Sequence, residues 1–428
     1  MKFLGFNSPS IPFSSFRLRM QEEKKLENGE NSFLDGIRIL DLTEGAFSFA
    51  AKILGDLGAD VIKIERPGGE PGRKISLFIP DPPNPDKSLP FFFHNSNKRG
   101  VTLNIEAPAG REVFYRLLER TDGIMESFSP GKLDNLGLGF QRMLQIKSDL
   151  ILVSLTGFGQ TGPRRNFAFC DLVTSAYGGQ MFISGSPLTP PLKAAGEQTV
   201  YLASLYGAIA FLLALQKRNR FGSGSYIDIS AQEAAVSSLE NVFVKYFFEK
   251  TIASRQGNIY ANHAFGQFPC RDGFILLSVL QNWETLLEWM AGDGMAEDLL
   301  QEKWKDADYR RQNIEHIFEV VERWTRTQTK AKLFELGQLM RLPWAPIQNP
   351  AEILKDPQLQ SREFFASDGD PKSRESFFIP NLPFHSTIPL HRKWLPAPGI
   401  GEHNQQIYHK ELGLSADKIR HFADLGVI

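Results

Sequence analysis

Short β-type runs alternate with single amphipathic helical patterns through the first third of the chain, and this alternation narrows the fold more than any other feature. Ile37-Arg38-Ile39-Leu40-Asp41-Leu42 reads as a buried strand, Phe49 to Leu57 as a helix stopped by Gly58, and Val61-Ile62-Lys63-Ile64-Glu65 as a second strand. The cycle repeats. Ala109 to Arg120 carries apolar side chains at Val113, Phe114, Leu117 and Leu118, and Gly123-Ile124-Met125 starts another strand. A third helix near Phe140 to Ile146 precedes Leu150-Ile151-Leu152-Val153-Ser154-Leu155. Strands separated by single helices favour an α/β fold, with a parallel sheet covered by helices on both faces.

At 428 residues the chain exceeds one ordinary core, so two domains or one elaborated α/β unit are expected. Its 48 basic and 49 acidic side chains nearly cancel, which removes any global field toward nucleic acid or anionic lipid. An anionic ligand therefore needs a local site. Only Cys170 and Cys270 are present, which argues against a disulfide framework and for a reducing compartment, the cytoplasm. Residues 1–33 have no continuous apolar region of the secretory type and end in a polar run, so they read as a poorly ordered extension. Val200 to Leu215 is the most apolar stretch; it is too short to span a bilayer and reads as a buried helix.

Familiar catalytic motifs are missing. Glu65 ends the second strand where dinucleotide enzymes place a ribose-binding acid, but Thr43-Glu44-Gly45-Ala46-Phe47-Ser48 lacks the glycine pattern that admits a pyrophosphate. Gly157-Phe158-Gly159-Gln160-Thr161-Gly162-Pro163 has no Lys-Ser/Thr pair and reads as a turn. The eight histidines show no zinc spacing, so no metal site is expected. The residues by themselves stop at an α/β protein of enzyme type.

Longer motifs carry a resemblance. Leu34 to Thr43 and Leu54-Gly55-Asp56-Leu57-Gly58-Ala59-Asp60-Val61-Ile62-Lys63-Ile64-Glu65-Arg66-Pro67-Gly68-Gly69 are followed by Asn95-Ser96-Asn97-Lys98-Arg99-Gly100-Val101-Thr102-Leu103. Then come Glu126 to Gly137, Gly222 to Ser230, Pro346, Asp356-Pro357-Gln358-Leu359 and Gly401-Glu402-His403. In this order they resemble the class III coenzyme A transferases, from Leu34 to the C-terminus. The resemblance implies a Rossmann-like large domain from residues 34–224, a smaller domain at 225–330, and a C-terminal segment, 331–428, returning to the large domain. It also implies two interlocked chains with shared active sites.

The chemistry so implied is nucleophilic. An aspartate attacks an acyl-CoA thioester to form a mixed anhydride, without a metal or a tightly bound cofactor; CoA and acyl-CoA are substrates. Arg66, Leu103 and Phe128 match CoA-contacting positions, although turn chemistry and core packing account for an arginine and a phenylalanine there equally well. Asn97, Lys98 and Arg99 belong to a family motif and either help fix phosphate or cap a turn.

Departures from the family pattern are as informative. The CoA lysine falls at Glu106, an arginine at Asn135, an asparagine at Ser127, and a lysine used by some members at Ala168. Each lost charge-assisted bond costs about 1.5 to 3 kcal/mol. Aligned without a gap from Pro190-Pro191 to Ala214-Leu215, the catalytic aspartate falls on Val200, and the histidine of related racemases falls on Cys170. Glu197, just ahead of a helix, and Asp171 are the remaining carboxylate candidates; each also suits a helix-entry role. The chain is thus expected to be either a catalytically degenerate subunit that pairs with an active homologue, or with itself, or an active transferase using Glu197 or Asp171. Heteromeric members of the family, including some that serve anaerobic aromatic breakdown, set the precedent for the first.

Overall fold

A computed structural model describes residues 32–75, 88–260, 265–367, 378–388 and 395–428. The expected extension lies outside them, apart from Ser32 and Phe33. The chain divides into two compact units, one comprising residues up to Ala168 with Val200–Ala231 and Ala366–Ile428, the other Phe169–Thr199 with Gln232–Phe365.

The first unit is built on a six-stranded parallel sheet. Its strands are β1 (Arg38–Leu42), β2 (Asp60–Glu65), β3 (Lys98–Thr102), β4 (Gly123–Glu126), β5 (Ile151–Thr156) and β6 (Ser225–Ser230), in the order β3-β2-β1-β4-β5-β6. The expected helices form at Ser48–Asp56, Pro108–Leu118 and Phe140–Leu144. Val113, Phe114, Leu117 and Leu118 turn onto Leu40, Ile62, Ile124 and Leu152 of the sheet in one continuous core. At Gly123 the backbone is approached so closely that an added Cβ would lie 2.2 Å from Phe211 Cε2. This glycine lets the helix Gln198–Phe221 pack onto β4.

That helix is longer than the apolar stretch suggested. At 24 residues it is long and apolar enough to cross a membrane, with half of the apolar window buried. Ala203, Ala208 and Phe211 are buried, whereas Leu205, Ile209 and Leu213 are exposed.

β3 has no counterpart among the expected strands, because Lys98-Arg99-Gly100 carries little β propensity. Its charges are neutralised from neighbouring elements, and the C-terminal segment covers its open edge. His403 Nδ1 accepts the Gly100 N–H (3.1 Å), Asn404 Oδ1 accepts that of Thr102 (3.0 Å), and the Tyr408 hydroxyl donates to the Thr102 carbonyl (2.8 Å).

The second unit holds an antiparallel sheet of Ile259–Tyr260, Phe265–Cys270, Gly273–Ser278 and Ala345–Ile347. Helices Trp283–Gly292 and Ile314–Thr325 bury Trp283, Leu286, Ile317, Val321 and Trp324 against it. Two observations set limits unlike the expected 225 and 330. Ser225–Ser230 pairs with β5 and completes the parallel sheet, while Ala345–Ile347 pairs with Gly273–Ser278.

Candidate functional site

Strand order reverses between β1 and β4 in the first unit, and a crevice opens there at the C-terminal ends of the strands, where doubly wound sheets bind ligands. A cavity of about 350 Å³ occupies it, lined by Glu44, Glu65, Arg66, Leu103, Glu106, Phe128 and Lys132 among others. Three of the residues singled out for CoA, Arg66, Leu103 and Phe128, therefore meet in one place. The acidic departure Glu106 meets them there.

Asn97, Lys98 and Arg99 are engaged elsewhere. Lys98 is buried under the sheet, where Nζ donates to Asp41 Oδ2 (2.7 Å), the Ser48 carbonyl (2.8 Å) and Asn95 Oδ1 (2.9 Å). Burial and the nearby Lys63 charge pull its ammonium down to about 8, against the opposing pull of Asp41. Arg99 binds Asp60 (2.7 and 2.9 Å) and Glu411. Asn97 adopts φ 60°, donates to Asp56 (2.7 Å) and accepts the Leu395 N–H (2.7 Å). None of the three lines the cavity. Their contacts hold the fold.

Buried ion pairs brace the cavity floor. Glu65 takes both Arg73 Nε and Nη2 at 2.7 Å, and Glu70 accepts Lys63 Nζ at 3.1 Å. At the rim, Arg66 pairs with Glu44 (3.1 Å) and Lys132 with Glu106 (2.9 Å). The loop bearing Phe128 is pinned twice, since Glu126 Oε2 accepts the Phe128 N–H (2.7 Å) and Ser127 Oγ accepts the Glu44 N–H (2.9 Å). Burial raises the Glu126 carboxyl to about 7, outweighing its bonds to Ser154 and Phe128. Sequence reasoning assigned no role to Lys132 or Glu44. The available signal was position, a lysine directly after Pro130-Gly131 at the end of a parallel strand.

Val200 is buried in the first turn of Gln198–Phe221, with 6 % of its surface exposed. Beside it in sequence, Tyr201 contacts His94 Nε2 through its hydroxyl (2.9 Å); desolvation, with the charges of Lys98, Lys63 and Lys52, pulls this imidazole down to about 3. His94 is therefore neutral. In the second unit, Asp171 opens the helix Asp171–Tyr177 and is itself buried. Its Oδ1 accepts both the backbone N–H and the hydroxyl of Thr199 at 2.7 Å, and its Oδ2 pairs with Lys193 at 2.7 Å. That carboxylate caps a helix from a distance.

Glu197 is exposed, and desolvation together with the Asp171 charge raises its carboxyl despite Lys193. Cys170 is exposed and uncrosslinked at the N-terminal boundary of the same short helix. Asn135 and Ala168 are exposed. Among the described residues no group of histidine, cysteine, aspartate or glutamate side chains could hold a metal ion.

Sheet order and crevice place the first unit among the doubly wound α/β proteins whose ligands sit at strand ends. The family is specified by comparison: the model of CoA-transferase family III matches residues 34–404, and the chain belongs to that family. It is 32% identical over 400 residues to the succinyl-CoA:(R)-benzylsuccinate CoA-transferase subunit BbsE of Thauera aromatica, covering 91% of this chain and 97% of that one. The succinyl-CoA:mesaconate CoA-transferase of Haloarcula hispanica is 31% identical, covering 87% and 95%, and the succinyl-CoA–L-malate CoA-transferase beta subunit of Chloroflexus aurantiacus 30%, covering 92% and 98%. A solved CAIB/BAIF family protein from Brucella suis superposes with a TM-score of 0.80 at 26% identity, covering 89% of this chain and all of that one.

Proposed function

We propose that this chain is a subunit of a class III acyl-CoA:carboxylate CoA-transferase that supplies no nucleophile itself and pairs with a homologous subunit that carries the aspartate. One observation supports the reading: Val200, onto which the ungapped alignment brings the nucleophile's position, is a buried apolar residue, while Asp171 is consumed by helix capping. The partner's aspartate attacks the thioester carbonyl and expels CoA thiolate; the thiolate then attacks the aspartyl carbonyl of the mixed anhydride and releases the donor acid, and the acceptor carboxylate displaces the thiolate to form a second anhydride, whose acceptor carbonyl the thiolate takes as the aspartate is restored. This chain contributes walls and the cavity of about 350 Å³, which receives the nucleotide end of CoA.

Apolar surface supports an interlocked assembly. The helix Val242–Glu249 buries none of its residues, and Phe247 and Phe248 are 66 and 85 % exposed. Such faces are found at subunit interfaces. These relatives are named for succinyl-CoA, and benzylsuccinate, mesaconate and malate are all dicarboxylates. Succinyl-CoA and a dicarboxylic acceptor follow for this complex, with an aromatic dicarboxylate such as benzylsuccinate as the first to assay.

A second reading, transfer through an anhydride on Glu197, draws on the exposure of that carboxylate and its place directly before a helix N-terminus. Trapping separates the two. The chain is incubated with succinyl-CoA, alone and with its co-purifying homologue, and the anhydride is captured with hydroxylamine or borohydride. Label confined to the homologue's aspartate is expected; a labelled Glu197 or Asp171 peptide from this chain alone overturns the degenerate-subunit reading.

A further inference from the structure

We propose that Lys132 is a phosphate-binding residue of the crevice cavity, held by Glu106 until an anionic ligand displaces that carboxylate. The inference rests on the reading that the cavity receives the nucleotide end of CoA. Four glutamates line the cavity, and each has a cationic partner: Glu65 with Arg73, Glu70 with Lys63, Glu44 with Arg66, and Glu106 with Lys132. The first two pairs are buried and fixed in the floor. Only the rim pairs can exchange a partner.

Lys132 is the better built of the two rim cations. Gly131 takes φ 78° directly before it and donates its N–H to Gln160 Oε1, which together with the Glu126 and Ser127 bonds fixes the path of the loop. The ammonium then lies 4.8 Å from the centre of the Phe128 ring, a wall of the same cavity. Its side chain is 38 % exposed.

Glu106 has the opposite character. Its backbone is held, with its N–H on Asn104 Oδ1 (3.1 Å) and its carbonyl on Arg111 Nη1 (2.7 Å), but its side chain is 63 % exposed and free to swing. A solvated ion pair of this kind is weak. Phosphate offers the same ammonium a stronger charge-assisted bond. The aligned glutamate therefore neutralises a lysine that alignment alone did not bring to the site, and it sets the threshold at which a phosphate is admitted.

The test is calorimetric titration of the full chain, in the assembly in which it purifies, with CoA, dephospho-CoA and pantetheine. Glu106→Gln is expected to tighten CoA by about threefold to fivefold, the fold-change that corresponds to an exposed pair. Lys132→Gln is expected to weaken CoA by about tenfold or more. In the double variant Glu106→Gln no longer helps, and pantetheine, which lacks the nucleotide phosphates, responds to neither change. If the gain from Glu106→Gln vanishes with dephospho-CoA, the 3′-phosphate is the group held; if it persists, the pyrophosphate is.

Unchanged CoA affinity in both single variants, with CoA still bound more tightly than pantetheine, overturns the role of Lys132 and leaves the cavity assignment standing. An equal gain from Glu106→Gln with and without Lys132 also overturns it, because removal of a repulsive charge then suffices. Failure of every variant to prefer CoA over pantetheine overturns the cavity assignment and the role of Lys132 together.

Discussion

Replacing Asp171 by alanine and by asparagine distinguishes a cap from a nucleophile. The carboxylate is buried and satisfies the Thr199 N–H, the Thr199 hydroxyl and the Lys193 ammonium, each at 2.7 Å. Alanine leaves a buried N–H without an acceptor and removes a cap, a combined loss of about 2 to 4 kcal/mol. The Thr199 hydroxyl retains Thr174 Oγ1 at 2.5 Å, which keeps the loss below a simple sum. Asparagine preserves the accepting oxygen and forfeits mainly the partly solvated Lys193 pair, about 1 kcal/mol. Urea denaturation followed by helical circular dichroism should therefore rank wild type above Asp171→Asn and Asp171→Ala last. CoA transfer by the assembled complex should survive Asp171→Asn. Abolished transfer in an Asp171→Asn complex of wild-type stability would refute the capping argument, and so would equal destabilisation by the two variants.

Two further outcomes follow from buried groups of the first unit. Burial lets the folded chain keep a proton on Glu126 up to about pH 7, whereas an ordinary solvated glutamate releases it near 4.5. Stability conferred by that protonated form is thus lost as pH rises through this window, by up to about 1.4 kcal/mol per pH unit. Glu126→Gln should flatten the decline in urea melts taken between pH 5 and 7.5, and parallel slopes for variant and wild type would show that Glu126 is not its source. Gly123→Ala should cost about 1 to 3 kcal/mol by overpacking against Phe211. Phe211→Leu in the same chain should recover part of that loss in a thermal melt, and strict additivity would place the clash elsewhere.

Much of the fold was legible because its signals are local. The alternation of apolar runs with amphipathic helices marked β1, β2, β4 and β5 with their connecting helices. β3 escaped because a strand beginning with lysine, arginine and glycine is stable only when distant residues supply Asp41 and Asp60, together with a C-terminal cover over its edge. Whether Lys98 and Arg99 face a ligand or a carboxylate inside the fold is invisible to composition and spacing. Asp41, the carboxylate on Lys98, and Asp60, one of the carboxylates on Arg99, lie 57 and 39 residues away.

The sequence by itself determined the parallel α/β scaffold and membership in CoA-transferase family III, since each is written in contiguous residues. Only the tertiary structure decided what the charged residues do. It tied Asp171 to Thr199 and Lys193, withdrew Lys98 into the core, and set Lys132 against Glu106 at the mouth of the cavity. The reason is physical. A charge takes its role from the opposite charge or hydrogen-bond donor that folding brings within about 3 Å, and local periodicity carries no record of that encounter.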